Sequence, residues 1–240
     1  GGSRLDVNEG QLREISKTLD ELEAPLDNFI TTATEDPILA VRLKGVGVLT
    51  EEDARRLGAV GPTARASNLP IDVRTDDPYA AYEAIDWDVI TCENGDVYDK
   101  VVVRLLETRE SIRILRQAIR DIPDGDIRAN IKNVPPGEAV GRIEAPRGEC
   151  FHYVRSNGGP HPERHKIRAP SYINVPTFKA SCIGESVSDV TITLAAVDPC
   201  YSCTERMAVV KDSETGERLM GFNELVRLSR EKTERIREEY

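Results

Sequence analysis

The chain is organised around one stretch, Asp198-Pro199-Cys200-Tyr201-Ser202-Cys203-Thr204-Glu205-Arg206. Two cysteines three positions apart can direct both sulfurs at one metal ion, because a short turn between them aims their side chains the same way. The proline before Cys200 stiffens the approach by fixing its φ angle. Thiolates are soft ligands, which suit nickel, iron, zinc or copper(I) better than magnesium or calcium. The stretch therefore predicts a thiolate metal site that is built on Cys200 and Cys203.

The residues before this stretch are mainly apolar and β-branched. Residues 190–197 read Val-Thr-Ile-Thr-Leu-Ala-Ala-Val, which predicts a buried strand that delivers the cysteine pair to an interior site. The residue types alone leave two other interpretations of Cys200 and Cys203 open, as buried thiols without a metal or as half of a zinc site. A structural zinc site needs four ligands, and the sequence has no second C-x-x-C pair.

Composition narrows the class of protein. The 240 residues are enough for one large domain or two small ones, and the net charge of −10 disfavours nucleic acid as a partner. No apolar run approaches the ~20 residues that a membrane helix needs. Five cysteines are an odd number and few for this length. We therefore expect no disulfide framework and a reducing compartment.

Helical patterns dominate the chain before its first Pro-Pro pair. Asn8 and Gln11 have the spacing of a capping box. Apolar residues then recur every three or four positions, at Leu12, Ile15, Leu19, Leu22, Leu26 and Phe29. We expect Pro25 to bend or divide this helix. Three further helices are predicted before the Pro-Pro pair. A short one starts at Thr50 and ends at Gly58, a second short one covers residues 76–84, and the longest one covers residues 96–121.

The sequence changes from helical to extended patterns at Pro135-Pro136-Gly137. Residues 140–154 and 166–178 are predicted strands on either side of a loop rich in glycine and proline. After the cysteine pair, residues 207–220 are predicted to form a hairpin that turns at Thr215-Gly216, and a charged helix begins at Asn223.

These patterns together predict an α+β fold, with a mainly helical core and a small antiparallel β region before the cysteine pair. We divide the chain into a mainly helical part, 1–134, a β-rich part that carries the cysteine motif, 135–206, and a C-terminal extension, 207–240.

The histidines do not form a recognised motif. Glycine and proline surround His161 and His165, which excludes a helical zinc-protease motif and predicts loop residues, with a partner interface or a proton path as the alternative. His152 lies on a predicted strand and is interpreted as a core histidine. The single cysteines are interpreted as small buried hydrophobic residues.

Five motifs in the order in which they occur carry a resemblance to a known family: Gly61-Pro-x-x-Arg65-Ala-Ser, Asn94-Gly-Asp-Val-Tyr-Asp99, Glu144-Ala-Pro-Arg-Gly-Glu149, Lys166-Ile-Arg-Ala-Pro-Ser171 and Asp198-Pro-Cys-x-x-Cys-x-x-Arg206. Together they resemble the large subunit of nickel–iron hydrogenases. The resemblance is greatest to the energy-converting, membrane-associated group that is related to respiratory complex I. The first four motifs are also shared with the catalytic subunit of complex I, which lacks the metal thiolates. The cysteine pair therefore favours hydrogen chemistry over quinone chemistry.

The resemblance implies a nickel–iron centre held by four thiolates, with carbon monoxide and cyanide on the iron. Cys200 would be a terminal nickel ligand, and Cys203 would bridge nickel and iron. Arg147 matches an arginine that lies over the metals, where its permanent charge is useful. Pro176 and Thr177 match a segment that donates hydrogen bonds to a cyanide.

Three further residues are implied near this centre. Asp198 and Arg206 flank the cysteines within the same motif and would support the centre without binding it. Glu149 is a candidate proton relay, although an ordinary ion pair with a nearby arginine is an equal alternative. The resemblance also implies that the chain can be cut at residues 204–206, and the sequence leaves open whether the extension is removed or kept.

The implied reaction is the heterolytic splitting or formation of H2, with the Cys200 thiolate or the Arg147 guanidine as the base. Electrons would pass through an iron–sulfur small subunit to or from ferredoxin, and membrane subunits would couple the reaction to ion pumping. The implied location is cytoplasmic, on the inner face of the cell membrane.

One departure from the family pattern is large. The family carries its other cysteine pair in an Arg-x-Cys-Gly-x-Cys motif, which this sequence lacks. We therefore expect that an N-terminal part lies outside this chain and that the chain alone is inactive. Two alternatives are a metal-free, hydrogenase-like subunit of a quinone oxidoreductase related to complex I, and a structural domain that binds zinc.

Overall fold

Helices form the first part of the chain. The computed structural model describes residues 2–131, 133–204, 210–212 and 214–239. The helices before the sheet are α1 (Glu9–Glu35), α2 (Pro37–Leu43), α3 (Glu51–Leu57), α4 (Pro62–Arg65), α5 (Val73–Asp76) and α6 (Val97–Asp121), with a 3-10 turn at Tyr82–Ala84.

Local signals explain where α1 begins. The Asn8 side chain accepts from the Gln11 backbone, and the Gln11 side chain accepts from the Asn8 backbone, so the predicted capping box is present. Pro25 lies inside α1 but does not divide it. The predicted stripe is only partly buried, because Leu22 and Phe29 are 49% and 65% exposed in this chain. The buried members pack with Ile112 of α6 in one core cluster, namely Leu19, Leu26 and Ile30.

A second core lies around α3 and α4. Thr50 caps α3 and Gly58 ends it in the left-handed conformation, as predicted. This core contains Leu49, Ala54, Ala59, Ala64 and Leu69. Every residue from Gly61 to Ser67 is buried, so this segment is a packed core element.

A small antiparallel sheet follows the helices. Its strands are β1 (Gly137–Ala145), β2 (Gly148–Ser156) and β3 (Arg164–Arg168), in the order β1-β2-β3. The predicted strand over 140–154 is therefore two strands joined by a tight turn at Pro146-Arg147, since Ala145 pairs with Gly148. The predicted α+β class is confirmed.

Two predicted strands are wrong. Residues 166–178 leave the sheet after Arg168 and form α7 (Pro170–Asn174) and the start of α8 (Thr177–Cys182). Pro170 occupies the first turn of α7, where its missing N–H costs nothing. Residues 190–197 lie largely in α9 (Val187–Ala196). A short apolar run does not distinguish a buried strand from a buried helix.

The chain divides into two compact units, Gly1–Cys203 and Thr204–Tyr240. A short helix, α10 (Tyr201–Thr204), begins at the cysteine pair. In the second unit, β4 (Val210–Lys211) pairs with β5 (Arg218–Met220), and α11 (Phe222–Glu239) follows. The predicted hairpin and helix are confirmed where the structure describes them, whereas residues 207–209 lie outside the described residues. The division at 134 and 206 stays a prediction.

None of the helices that the structure describes has both the length and the hydrophobicity of a transmembrane span.

Candidate metal centre

The turn that carries Arg147 lies directly against the backbone of Val60 and Gly61. Gly61 has a φ of +66°, and a Cβ added to it would lie 2.4 Å from the Arg147 carbonyl oxygen. Gly148 has a φ of +126°, and a Cβ added there would lie 2.7 Å from the Gly61 nitrogen. Both positions therefore need glycine, both for the conformation and for the close approach of the two main chains.

Asn174 holds this contact together. Its Oδ1 accepts from the Val60 N–H at 3.0 Å, and its Nδ2 donates to the carbonyls of Val60 at 3.1 Å and Arg147 at 3.3 Å. Asn174 is fully buried. One side chain on α7 thus ties together three segments that are far apart in the sequence.

Arg147 reaches from this turn to the residue before Pro199. Its Nε donates to the Asp198 carbonyl oxygen at 2.7 Å, and its Nη2 donates to Asp198 Oδ1 at 3.0 Å. Asp198 has a φ of +58°, an uncommon conformation for a residue that is not glycine. The predicted arginine is therefore attached to the loop that leads to the cysteines.

The cysteine pair is fixed by α7 and by its own short helix. The Cys200 N–H donates to the hydroxyl of Ser171 at 3.1 Å, and the Cys203 N–H donates to the Cys200 carbonyl at 3.1 Å. The sulfur of Cys200 lies 2.9 Å from the Ser202 hydroxyl. The predicted pair thus begins a helical turn after α9, and no strand delivers it.

The two thiols have different proton affinities. Hydrogen bonds from the Ser202 hydroxyl, and then from the Cys203 backbone and thiol, lower the pKa of Cys200 to about 7. Burial, and then the neighbouring Cys200 thiol, raise the pKa of Cys203. The two thiols also hydrogen-bond to each other, so their sulfurs are neighbours. As the pH rises through neutrality, the thiolate therefore forms first on Cys200.

The other predicted site residues differ in their burial and in their hydrogen-bond partners. Thr177 is buried and its hydroxyl donates to the Asn174 carbonyl at 2.6 Å, so its proton is already used inside the chain. Pro176 is exposed at the start of α8. Glu149 accepts from Arg168 of β3 at 2.9 Å, which is the ion-pair alternative. Arg206 lies outside the described residues.

A buried charge cluster lies beside the Arg147–Asp198 pair. Arg65, which is 2% exposed, forms ion pairs with Glu107 at 2.5 Å, Glu144 at 2.9 Å and Asp72 at 3.1 Å. Burial opposes its charge, but these carboxylates raise the pKa of Arg65. The sequence motif marks Arg65 and Glu144, yet it gives no indication that they meet.

A cavity of about 390 Å³ separates this cluster from Asp198. Arg104 of α6 lines it, and the Nη2 atom of Arg104 is buried with no hydrogen-bond partner among the described residues. Burial lowers the pKa of Arg104, in part opposed by Asp198 and Glu107. The lining is polar and roomy enough to hold water molecules.

Comparison with known proteins places the chain in a family. The family model described as respiratory-chain NADH dehydrogenase, 49 kDa subunit, matches residues 1–134 and 130–206. The chain belongs to this 49 kDa subunit family. The first four motifs, which provide Gly61, Arg65, Glu144 and Ser171 to the geometry above, lie within the matched residues.

Some relatives in this 49 kDa subunit family are named hydrogenases, and others are named subunits of NADH-quinone oxidoreductase. The chain is 39% identical over 208 residues to the carbon monoxide-induced hydrogenase of Rhodospirillum rubrum, a match that covers 86% of the chain and 58% of the relative. It is 38% identical over 201 residues to a subunit of the NADH-quinone oxidoreductase of Dehalococcoides mccartyi, covering 82% of the chain and 55% of the relative.

A third relative matches the second unit of the chain as well. The membrane-bound hydrogenase subunit alpha of Pyrococcus furiosus is 34% identical over 253 residues, which covers 98% of the chain and 59% of the relative. That match therefore extends into the Thr204–Tyr240 unit. Within the 49 kDa subunit family, the chain spans a little more than half the length of these relatives.

The residues that could hold a soft metal ion are Cys200 and Cys203. Among the described residues, no group of three or more histidine, cysteine, aspartate and glutamate side chains is arranged to hold a metal. The donor set thus fits half of a four-thiolate centre.

Proposed function

We propose that this chain is part of the catalytic large subunit of an energy-converting nickel–iron hydrogenase, which oxidises H2 and reduces protons reversibly. The observation that carries the proposal is the position of Cys200 beside Cys203, with Arg147 bound to the Asp198 that precedes them. Two of the relatives described above are named hydrogenases. A thiolate pair held by buried polar side chains is suited to nickel and iron.

Cys200, as a terminal ligand, and Cys203, as a bridging ligand, would hold a nickel–iron centre with carbon monoxide and cyanide on its iron. This centre would supply the place where H2 is split or formed. Two further thiolates would come from outside this chain.

The residues of the chain have roles that follow from their contacts. As a terminal ligand, the Cys200 sulfur would be the base that takes up and releases the proton. Asp198 fixes the direction of the Arg147 guanidinium, whose guanidine is the alternative base. Ser171 fixes the backbone of Cys200. Pro176 and Thr177 would support the centre without binding a metal.

The same proposal includes its partners. Electrons would pass through an iron–sulfur small subunit to or from ferredoxin, because this sequence has a single C-x-x-C pair and no cluster motif. Membrane subunits would hold the complex at the inner face of the cell membrane, and the chain would be a peripheral subunit. The relative that is named membrane-bound supports this arrangement.

Metal analysis of the assembled complex tests the proposal. We expect nickel, with iron in excess because the iron–sulfur subunit adds its own, and H2–D2 exchange activity. Cys203→Ser should remove the nickel and the exchange activity, whereas the matched control Cys182→Ser, which changes a cysteine outside the pair, should retain both. Zinc alone would support the structural zinc alternative, and full exchange activity in Cys203→Ser would refute the bridging role.

A second function is favoured by the similarity to the NADH-quinone oxidoreductase relative, which is as close as that to the hydrogenases. Here the chain would be a metal-free subunit of a quinone oxidoreductase related to complex I. Quinone reduction that survives Cys200→Ser and Cys203→Ser together, in a complex without nickel, would establish this function. Loss of all turnover in that double variant would support the hydrogenase instead.

A further inference from the structure

A row of three side chains connects strands β2 and β3, outside the candidate metal centre. The Nδ1 of His152 lies 2.9 Å from the Nε2 of His165, and the Nε2 of His152 lies 3.4 Å from the sulfur of Cys150. Cys150 and His152 are two positions apart on β2, so they share one face of the sheet. His165 pairs with Val154, the next residue on that face. The prediction that His165 is a loop residue was wrong, because it lies on β3.

The two imidazoles lie with a nitrogen of one ring directed at a nitrogen of the other. Their ring centroids are 5.1 Å apart and their planes are tilted by 35°. A nitrogen–nitrogen hydrogen bond needs one donor and one acceptor, so one proton lies between the rings. A metal ion can replace such a proton, because both nitrogens then offer their lone pairs to the ion.

The distance between the two facing ring nitrogens is slightly shorter than the distance between two nitrogens that bind one metal ion. Two nitrogens that each bind one ion at about 2.1 Å lie roughly 3.0–3.4 Å apart at bond angles between square and tetrahedral. The observed 2.9 Å therefore needs to widen by a few tenths of an ångström. His165 is on a strand whose residues are all exposed, so no packing opposes a small rotation of its ring.

Cys150 acts on the orientation of His152. Metal-binding histidines usually use their other ring nitrogen for a hydrogen bond that fixes the ring. The sulfur of Cys150, 3.4 Å from Nε2 of His152, can take this role. The cations Arg164 and Lys166 alternate with His165 along β3, so they point to the opposite face and do not repel an ion there.

We propose that His152 and His165 form a two-imidazole binding site for a divalent ion of the late first row, Ni²⁺, Cu²⁺ or Zn²⁺, with water as the remaining ligands and Cys150 as the positioning residue. Imidazole is a preferred ligand of these ions. The site is separate from Cys200 and Cys203 and does not depend on the proposed hydrogenase function.

Titration of the tag-free 240-residue chain with NiCl2 by calorimetry tests this site. The parent for all variants carries Cys200→Ser and Cys203→Ser, so that the thiol pair does not contribute. We expect one equivalent of Ni²⁺ to bind at about pH 7.5. His152→Gln and His165→Gln should each lower the affinity about tenfold or more.

His161→Gln is the matched control, because His161 is the third histidine of the chain and lies outside the row. It should bind Ni²⁺ like the parent. Cys150→Ser should retain most of the affinity, since a hydroxyl can replace the hydrogen bond, whereas Cys150→Val should weaken binding. Equal affinity in the parent and in His152→Gln or His165→Gln would overturn the proposal.

A second measurement avoids substitutions at the site. In the parent chain, Ni²⁺ should protect His152 and His165 from acylation by diethyl pyrocarbonate, and His161 should react at an unchanged rate. Unchanged reaction of His152 and His165 at saturating Ni²⁺ would equally contradict the site.

Discussion

The guanidinium of Arg147 binds two different groups of Asp198, the backbone carbonyl at 2.7 Å and a carboxylate oxygen at 3.0 Å. This contact attaches the β1–β2 turn to the loop before the cysteine pair. It holds Asp198 in a left-handed conformation, which an aspartate tolerates better than most residues. The arginine and the sulfurs are therefore parts of one rigid arrangement.

Substitution of Asp198 should separate two contributions to the free energy of unfolding, that of the positive φ and that of the ion pair with Arg147. Asp198→Ala places a methyl group at positive φ and removes the ion pair, so we expect a loss of about 1–2 kcal/mol. Asparagine tolerates this conformation and retains a hydrogen-bond acceptor for Arg147. Asp198→Asn should therefore lower the free energy of unfolding by less than about 1 kcal/mol. Urea unfolding of both variants measures the difference. A smaller loss in Asp198→Ala than in Asp198→Asn would contradict this account.

Alanine substitutions at Gly61 and Gly58 compare a glycine that lies against the Arg147 turn with one that has no close neighbour in the part of the chain that the structure describes. Both have positive φ, but a Cβ at Gly61 would lie 2.4 Å from the Arg147 carbonyl, whereas a Cβ at Gly58 would have no atom of the described residues within 4 Å. Gly58→Ala should therefore cost about 1–2 kcal/mol from conformation alone. Gly61→Ala should cost clearly more, because the backbone of the turn must move. Denaturant unfolding that gives equal losses would show that the close approach has no energetic weight.

The Cys200 thiol should be the most reactive one in the chain without metal. Its pKa of about 7 means that the thiolate fraction rises through neutral pH. Burial raises the pKa of Cys203 and of Cys182, so both should react later. Alkylation with iodoacetamide, followed by mass spectrometry of the peptides, should give a midpoint near pH 7 for Cys200.

A single hydroxyl group has the largest effect on this reactivity. Ser202→Ala should move the midpoint for Cys200 to higher pH, since the Ser202 hydroxyl is the first cause of the lowered pKa. Ser188→Ala is the control, because Ser188 lies in the first turn of α9 and not next to the cysteine pair. It should leave the midpoint for Cys200 unchanged. An unchanged midpoint in Ser202→Ala would mean that the backbone of the helical turn, and not the Ser202 hydroxyl, lowers the pKa of Cys200.

Lys100 should make stability depend on pH above neutrality. It is fully buried and donates to the Gly47 carbonyl at 2.8 Å, and burial lowers its pKa from 10.5 to about 8. Asp96 and Asp99 oppose this shift, and Arg104 adds to it. Between these two pH values the unfolded chain binds more protons than the folded chain, so the free energy of unfolding rises with pH.

Comparison with Lys100→Met isolates this effect, because all other groups titrate in both proteins. The free energy of unfolding of the wild type should rise relative to the variant by up to about 3 kcal/mol between pH 8 and 10.5. Equilibrium unfolding at several pH values measures this slope. Parallel curves for the two proteins would mean that Lys100 titrates normally.

Local signals in the sequence explain the elements that were predicted well. The caps at Asn8 and Thr50 and the stop at Gly58 act within a few residues, so α1 and α3 could be placed without knowledge of the fold. The run over 190–197 was misread because its side chains favour strands and are also acceptable in a buried helix. Ser186 and Asp189, which interact at 2.7 Å, resemble a helix start and were the overlooked signal.

The site could be predicted only in part. The motifs identified Arg147 and the cysteine pair, because the chemistry lies in the residue types themselves. Asn174 and Arg104 could not be found in this way, since their roles depend on which distant segments meet them in the fold. The pair His152 and His165 was missed for the same reason, because the register of β2 and β3 brings them together.

Asn174 also links the position of the sulfurs to distant parts of the chain. Its amide joins the Val60 segment, the Arg147 turn and α7, and the neighbouring Ser171 receives the Cys200 backbone. A change at Asn174 would therefore act on the cysteine loop from two sides, through the Arg147 turn and through α7, although its own side chain touches neither sulfur in these contacts.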